Sequence, residues 1–239
     1  MDKIVRIGTR DSQLAVWQAT LVKEQLHQQG IASELVYIKS EGDIDLVTPL
    51  YELGVQGIFT QTLDAALLNK RIDIAVHSMK DVPTLLAKGI IQAAVLPRAS
   101  YKDILVYKGD EKQILEALEL KNKSTLNIQH PTFLIATSSI RRKAQWLHRY
   151  PNHTIENLRG NVNTRLRKVA ESTWNGAIFA AAGLERIGLR PENSLELEWM
   201  LPAPAQGAIM IACRGEDTHS KEACALLNDD ATALCTKIE

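Results

Sequence analysis

The stretch Asp73-Ile74-Ala75-Val76-His77-Ser78-Met79-Lys80-Asp81-Val82-Pro83 decides how the rest of the chain is read. Its first half is a short apolar run with β-branched residues, the pattern of a strand buried on both faces of a parallel sheet. Its second half turns polar at once, and Pro83 fixes the end of the loop. Ligands of α/β proteins gather at the carboxyl ends of such strands. The segment therefore predicts both a fold class and one edge of a site. Taken alone, Lys80 beside Asp81 also reads as a surface ion pair.

The same alternation runs outward in both directions. Lys3–Gly8 reads as a strand, and Ser12–Gln29 as a helix with Leu14, Trp17, Leu21 and Leu26 on one face. Asp11 or Ser12 can cap that helix and Gly30 ends it. Glu34–Lys39 is a second strand, Phe59–Lys70 a helix and Ile72–His77 the buried strand. Beyond it, Ile104–Tyr107 and Phe133–Thr137 read as strands flanking a helix near Glu111–Leu118. Thr154–Leu158, Ala177–Ala181 and Ala208–Cys213 read as further strands. Ser139–Tyr150, Asn161–Ser172 and Ala182–Ile187 read as helices. Such alternation argues for α/β layers with largely parallel sheets. Crossings at Pro97–Tyr101 and Leu201–Gly207 suit two hinged lobes with a cleft between them.

The 239 residues are 45% hydrophobic, enough for a real core, and 28 basic residues balance 28 acidic ones. Global charge thus speaks against a strongly basic protein that coats nucleic acid. No apolar run approaches the roughly 18–20 residues of a membrane span. The start, Met1-Asp2-Lys3-Ile4-Val5-Arg6, does not read as a signal peptide, so a cytoplasmic location is expected. The balance hides a block, however. Residues 137–168 hold Arg141, Arg142, Lys143, Arg149, Arg159, Arg165, Arg167 and Lys168 against the single acid Glu156. In a neutral protein this suggests an anion site, the other reading being a solvated basic helix face.

Two motifs sharpen that choice. In Ala136-Thr137-Ser138-Ser139-Ile140-Arg141-Arg142 a strand ends and a hydroxyl-rich turn opens a helix, whose N-terminal amides attract anions. Arg141 and Arg142 oppose the helix dipole there by about 0.3–1 kcal/mol each, so something must offset them. A bound carboxylate or phosphate would do so through the guanidinium fork. Leu158-Arg159-Gly160-Asn161-Val162-Asn163-Thr164-Arg165 repeats strand, tight turn and capped helix. Arg10 after the first strand, and Arg186 after the small-residue stretch Ala180–Gly183, complete the set. His77 reads more readily as a structural donor than as a proton shuttle. Cys213, Cys224 and Cys235 form no metal pattern. The four Trp are too scattered for a base-stacking platform.

Together these motifs resemble the porphobilinogen deaminase (hydroxymethylbilane synthase) family of tetrapyrrole biosynthesis. The resemblance rests on Ile7–Ala15, Asp73–Pro83, Thr137–Arg142, Leu158–Leu166, Ala182–Leu189 and Leu201–Ala208, in family order along the chain. It implies a transferase that deaminates four porphobilinogen molecules and joins them head to tail into hydroxymethylbilane, for heme and other porphyrins. It implies a monomer with two hinged α/β lobes like type II periplasmic binding proteins. Residues 1–98 with 207–227 would form domain 1, 99–206 domain 2, and 228–239 the start of a third α+β domain. It implies a dipyrromethane cofactor, and a pyrrole chain rich in acetate and propionate would explain the arginines.

By motif position, Asp81 matches the catalytic carboxylate, which would assist loss of ammonia and stabilise the resulting cation. Ser78, Lys80, Asp81, Thr137, Ser138, Ser139, Arg141, Arg142 and Arg165 match cofactor-binding positions. Arg10, Arg159, Arg165, Arg186 and Gln206 match substrate-binding positions. No metal and no nucleic-acid partner is implied.

Three departures stand out. The family attaches its cofactor through a Cys in a Leu-Glu-Gly-Gly-Cys loop, whose place falls a short way past Glu239. Cys213, Cys224 and Cys235 lack that context, so the chain as written is expected not to hold the cofactor covalently, which puts its turnover in doubt. Gln56 and Gln61 stand where Lys is common in the family, and Pro204-Ala205 replaces a small-residue pair at the hinge. A non-catalytic two-lobe anion-binding protein remains the alternative to the enzyme, and a nucleic-acid binder using residues 137–168 would betray itself by a steep salt dependence.

Overall fold

The computed structural model describes residues 4–39, 60–110, 112, 114–115, 118 and 132–239. They fall into two compact units. The first holds the described residues up to Tyr101 together with Ala203–Glu239, and the second holds Lys102–Pro202. Phe59, Gln56, Lys3 and Glu111 lie outside the described residues.

The first unit is built on five strands: β1 (Val5–Thr9), β2 (Ser33–Tyr37), β3 (Ile74–Ser78), β4 (Ile90–Val95) and β10 (Ile209–Arg214). They form one sheet in the order β2-β1-β3-β10-β4. β1 runs parallel to β2 and β3, whereas β10 runs antiparallel to both β3 and β4. Alternation along β10 feeds two cores. Ile209, Ile211 and Cys213 pack with Ala19, Val22 and Leu26 of α1 (Gln13–Gln28). Met210 and Ala212 pack with Leu63, Ala66 and Leu67 of α2 (Gln61–Leu68). Ser12, not Asp11, caps α1 by accepting the Ala15 amide.

The second unit repeats this plan with β5 (Asp103–Tyr107), β6 (Leu134–Ala136), β7 (Thr154–Glu156), β8 (Gly176–Ala180) and β9 (Ser194–Glu196). Their order is β7-β6-β8-β5-β9. β6 is parallel to β7 and β8, and β5 is antiparallel to β8 and β9. α3 (Ile140–Arg149) covers one face through the fully buried Trp146, beside Leu105, Ile135 and Ile178. α4 (Val162–Glu171) and α5 (Ala181–Glu185) cover the other through Val169 and Leu184, beside Ile104, Val106 and Phe179.

The expectation of largely parallel sheets therefore needs an amendment. Each sheet contains one strand that runs against both neighbours, β10 or β5, and each is the strand entered directly from a crossing. The crossings pack tightly in the first unit. The Ala99 amide bonds the Gly207 carbonyl at 3.1 Å. Gly207 has φ +90°, and a Cβ there would stand 2.6 Å from the Ser100 carbonyl oxygen, so only glycine fits. Two helices close the chain, α6 (Thr218–Ala225) and α7 (Asp230–Ile238), capped by Asp217 and Asp229. Residues 228–239, expected to open a third domain, group here with the first unit. The Val95 amide donates to Asn228 Oδ1, and Arg98 pairs with Glu239, which also accepts the Ala205 amide at 2.7 Å.

Candidate active site

In the first unit β1 and β3 are parallel neighbours, so the turns at their carboxyl ends emerge at one edge of the sheet. After β1 come Arg10 and the α1 cap; after β3 comes a single 3-10 turn, Met79–Asp81. The Val82 amide closes that turn on the Met79 carbonyl at 3.0 Å, and the Met79 amide bonds the Ala208 carbonyl. Asp81 ends the turn with an exposed side chain. Ser78 Oγ accepts from Gln18 Nε2 at 2.9 Å, and Gln18 is buried on α1. Lys80 Nζ donates to Gln206 Oε1 at 3.4 Å. Gln206 is completely buried, and its Nε2 donates to the Tyr101 carbonyl at 2.7 Å while its own carbonyl accepts from Arg98. Gln206, matched by motif to a substrate-binding position, thus joins Lys80 to the crossing. His77 is buried; desolvation, then the charge of Arg10, lowers its pKa to about 4 and keeps the imidazole neutral.

In the second unit β7, β6 and β8 are parallel neighbours, and their carboxyl ends deliver three loops to one edge. The first, Thr137-Ser138-Ser139, is built by its own hydroxyls. Thr137 Oγ1 accepts the Ser139 amide, Ser138 Oγ accepts the Leu158 amide at 2.8 Å, and Ser139 Oγ caps α3 on the Arg142 amide. Each hydroxyl oxygen accepts one backbone amide, and its O–H can still donate. The second loop turns at Gly160 and is capped by Asn161, which accepts the Thr164 amide at 2.9 Å. Arg165 Nε donates to the Gly160 carbonyl at 2.7 Å, and Arg159 is almost wholly buried. The third loop is α5, followed by half-buried Arg186, whose burial lowers its pKa to about 10 against the opposing charge of Glu185.

The two arginines that open α3 differ. Arg142 is 6% exposed; Nε and Nη2 reach Asp103 Oδ1 at 3.1 and 2.6 Å, and Nη1 reaches the Ile178 carbonyl at 3.0 Å. Arg141 keeps a quarter of its side chain exposed and lies 2.8 Å from Asp103 Oδ2 through Nη1, which also donates to the Leu201 carbonyl. Burial pushes the Asp103 carboxyl up, but the charges and hydrogen bonds of Arg142 and Arg141 together outweigh it and hold the group below its ordinary value. Part of the offset demanded by the basic helix start is thus supplied by the protein. Asp103 escapes a reading of the sequence, because an Asp after Tyr101-Lys102 looks like a loop residue.

The residues read from the sequence therefore fall on two carboxyl edges: Arg10, Ser78, Lys80, Asp81 and Gln206 in the first unit, the rest in the second. Of the two departures from Lys, Gln61 opens α2 with an exposed side chain. Among the described residues, no group of three or more His, Cys, Asp or Glu side chains could hold a metal ion. Nor is any of their helices long and apolar enough to cross a membrane. Cys213 and Cys224 are buried, and desolvation pushes the Cys224 thiol up to about 12.

Residues 5–222 match the family described as "Porphobilinogen deaminase, dipyromethane cofactor binding domain". The chain belongs to the porphobilinogen deaminase family. Relatives include the chloroplastic porphobilinogen deaminase of Pisum sativum, 42% identical over 99% of this chain and 63% of its own length. The probable porphobilinogen deaminase of Methanocaldococcus jannaschii is 41% identical over 97% of this chain and 74% of its own. That of Acidithiobacillus ferrooxidans is 40% identical over 100% of this chain and 75% of its own. This chain thus spans 63% of the pea enzyme's length. In fold it is similar to a periplasmic substrate-binding protein of an ABC transporter from Coxiella burnetii, with TM-score 0.54 and 14% identity over 98% of this chain and 96% of the other. An ancestral cationic amino acid solute binding protein gives 0.55 and 14% over 98% and 94%. These two support the α/β two-unit fold and nothing finer.

Proposed function

We propose that the chain performs the family's reaction: it deaminates porphobilinogen and joins four such units head to tail into hydroxymethylbilane. The observation that carries this reading is the pairing of functions on two carboxyl edges. The first unit offers the exposed carboxylate of Asp81 beside a cation, Lys80. The second offers hydroxyl donors and arginines at the start of two helices. A substrate carrying acetate and propionate needs the second set for recognition, and a leaving amine with a developing cation needs the first.

The residues also fit dipyrromethane, a polycarboxylate: the Ser138 and Ser139 hydroxyls, which accept from backbone amides, still have O–H groups to donate, Arg141 and Arg165 are donors, and none is an acid. When bound, that group supplies the carbon terminus to which pyrrole units are added. Thr137, Ser138, Ser139, Arg141 and Arg165 would hold it, with Arg142 supporting them from behind through Asp103, and with Ser78 and Lys80 from the first unit. Arg10, Arg159 and Arg186 would bind substrate carboxylates, with Gln206 acting through Lys80. Asp81 would accept hydrogen bonds from the substrate amine and stabilise positive charge as ammonia departs. The protein would work as a cytoplasmic monomer, and residues 228–239 would lead into a third domain, a role favoured by the exposed Leu234 and Ile238.

Porphobilinogen consumption, followed colorimetrically with dipyrromethane supplied to the protein, tests this. Consumption should occur, and Asp81→Asn should lower kcat by about 10²–10⁴-fold with the fold intact. Near-normal turnover by Asp81→Asn removes Asp81 from the chemistry; no consumption by the unmodified protein rejects the activity.

A further inference from the structure

Asp103 is fully buried at the first position of β5, yet it touches both arginines that open α3. Its two oxygens do different things. Oδ1 takes Nε and Nη2 of Arg142, whose remaining nitrogen is held by the Ile178 carbonyl of β8. Oδ2 meets Nη1 of Arg141, and the Leu201 carbonyl takes the same nitrogen. Among the described residues, Nε and Nη2 of Arg141 make no hydrogen bond. These two nitrogens form the edge of the guanidinium that binds a carboxylate in bidentate fashion. One carboxylate against two guanidiniums also leaves a positive charge at the N-terminus of a ten-residue helix, beside the hydroxyl turn.

We propose that Asp103 is a positioning residue for the anion site: it locks Arg142 as a strut and aims the Nε/Nη2 edge of Arg141 at a carboxylate of the ligand. The division rests on the reading of the site as one for carboxylate-bearing pyrroles, and it names what that site still lacks, a device to hold its ligand arm. An arginine left to rotate would lose side-chain entropy on every binding event; one tethered at Nη1 has lost much of it beforehand. The Asp103 carboxyl, held below its ordinary value, stays charged across the neutral range and keeps the tether intact.

A double-mutant cycle read by calorimetric titration tests the assignment, with porphobilinogen as one probe and glutarate, a plain dicarboxylate, as the other. Asp103→Asn is expected to weaken binding of both probes about tenfold when Arg141 is present, the worth of one close, largely desolvated ion pair. In the Arg141→Ala background the same change should cost less than about twofold, because the residue acts through Arg141. Equal losses in both backgrounds, or no loss in either, overturn the proposal. Should Asp103→Asn not fold, Asp103→Glu, which keeps the charge and displaces it by one methylene, takes its place in the cycle. Failure of both to fold would make Asp103 a strut and nothing more, which also overturns it. Glutarate binding without porphobilinogen binding would reject the functional reading while the cycle, run on glutarate, still decides on Asp103. Binding of neither probe overturns both.

Discussion

The two units solve one problem twice and put the solutions to different uses. Each buries a single aspartate against two arginines. In the first unit Asp73 lies just ahead of β3, at the amino end of that strand. Arg6 grips it through a full fork, Nε to Oδ2 at 2.9 Å and Nη2 to Oδ1 at 3.0 Å. Arg214 adds Nη2 at 3.2 Å and gives Nη1 to the Leu67 and Ile72 carbonyls. In the second unit Asp103 pairs across from Ala180, at the carboxyl end of β8, where loops carry ligand groups. There one arginine is locked and the other is held by a single nitrogen. The same chemistry is a fastener at one end of a sheet and the root of a binding arm at the other. What separates them is whether the fork is filled.

Asp73 is where the contrast breaks most forcefully. Asp73→Ala takes from Arg214, 5% exposed, one of its two counter-charges, and should cost about 3–5 kcal/mol of stability. Urea unfolding measures that cost; the folded fraction should bind glutarate as before. A changed affinity would mean that the fastener also serves the site.

Acid sharpens the contrast next. The folded His77 pKa, about 4, lies below its unfolded value near 6.5, so the unfolded chain binds the extra proton. Its contribution is present above pH 6.5 and is lost as pH falls toward 4, up to about 3 kcal/mol. Asp103, held below its ordinary value, loses its support only at lower pH. Hydrogen exchange followed by mass spectrometry should therefore show the first unit loosening before the second as pH falls from 6.5 to about 4. The opposite order would contradict the assignment of His77 as the acid-sensitive group.

Glycines give a smaller test. Gly207→Ala meets backbone, the Ser100 carbonyl, at φ +90°, and should cost about 2–3 kcal/mol. Gly160→Ala has φ +113° but meets the Thr164 side chain, which can turn away, and should cost nearer about 1 kcal/mol. Thermal melts of the two variants would rank them; a reversed order would show that the Thr164 contact is less yielding than its chemistry suggests. Smallest of all, Asn161→Ala should remove a cap worth about 1 kcal/mol from α4. Tm is the readout, and an unchanged value would mean that water replaces the cap.

Much of the fold is legible in the residues. β1, α1, β3, α3 and α4 announce themselves because their apolar spacing, caps and glycines all agree. β4 does not, since Ile90-Ile91-Gln92-Ala93-Ala94-Val95 has no clean period and earns its place by pairing with β10 from the far end of the chain. β9 is three residues at a sheet edge, too short to leave a pattern. α6 and α7 escape a reading by period because they carry few apolar residues in register. At the site, the need for negative charge near Arg141 and Arg142 can be inferred from helix electrostatics. Its source cannot, because Asp103 stands 39 positions from Arg142 and only the folded sheet brings them together.

β10 lies between β3 and β4, yet it is written after the whole of the second unit. A ribosome releasing the chain from its amino end delivers every strand of the second sheet before it delivers the one that joins β4 to the first. The unit that begins first is thus finished last, and until Ile209–Arg214 emerges, one flank of β3 is an open edge in search of a partner.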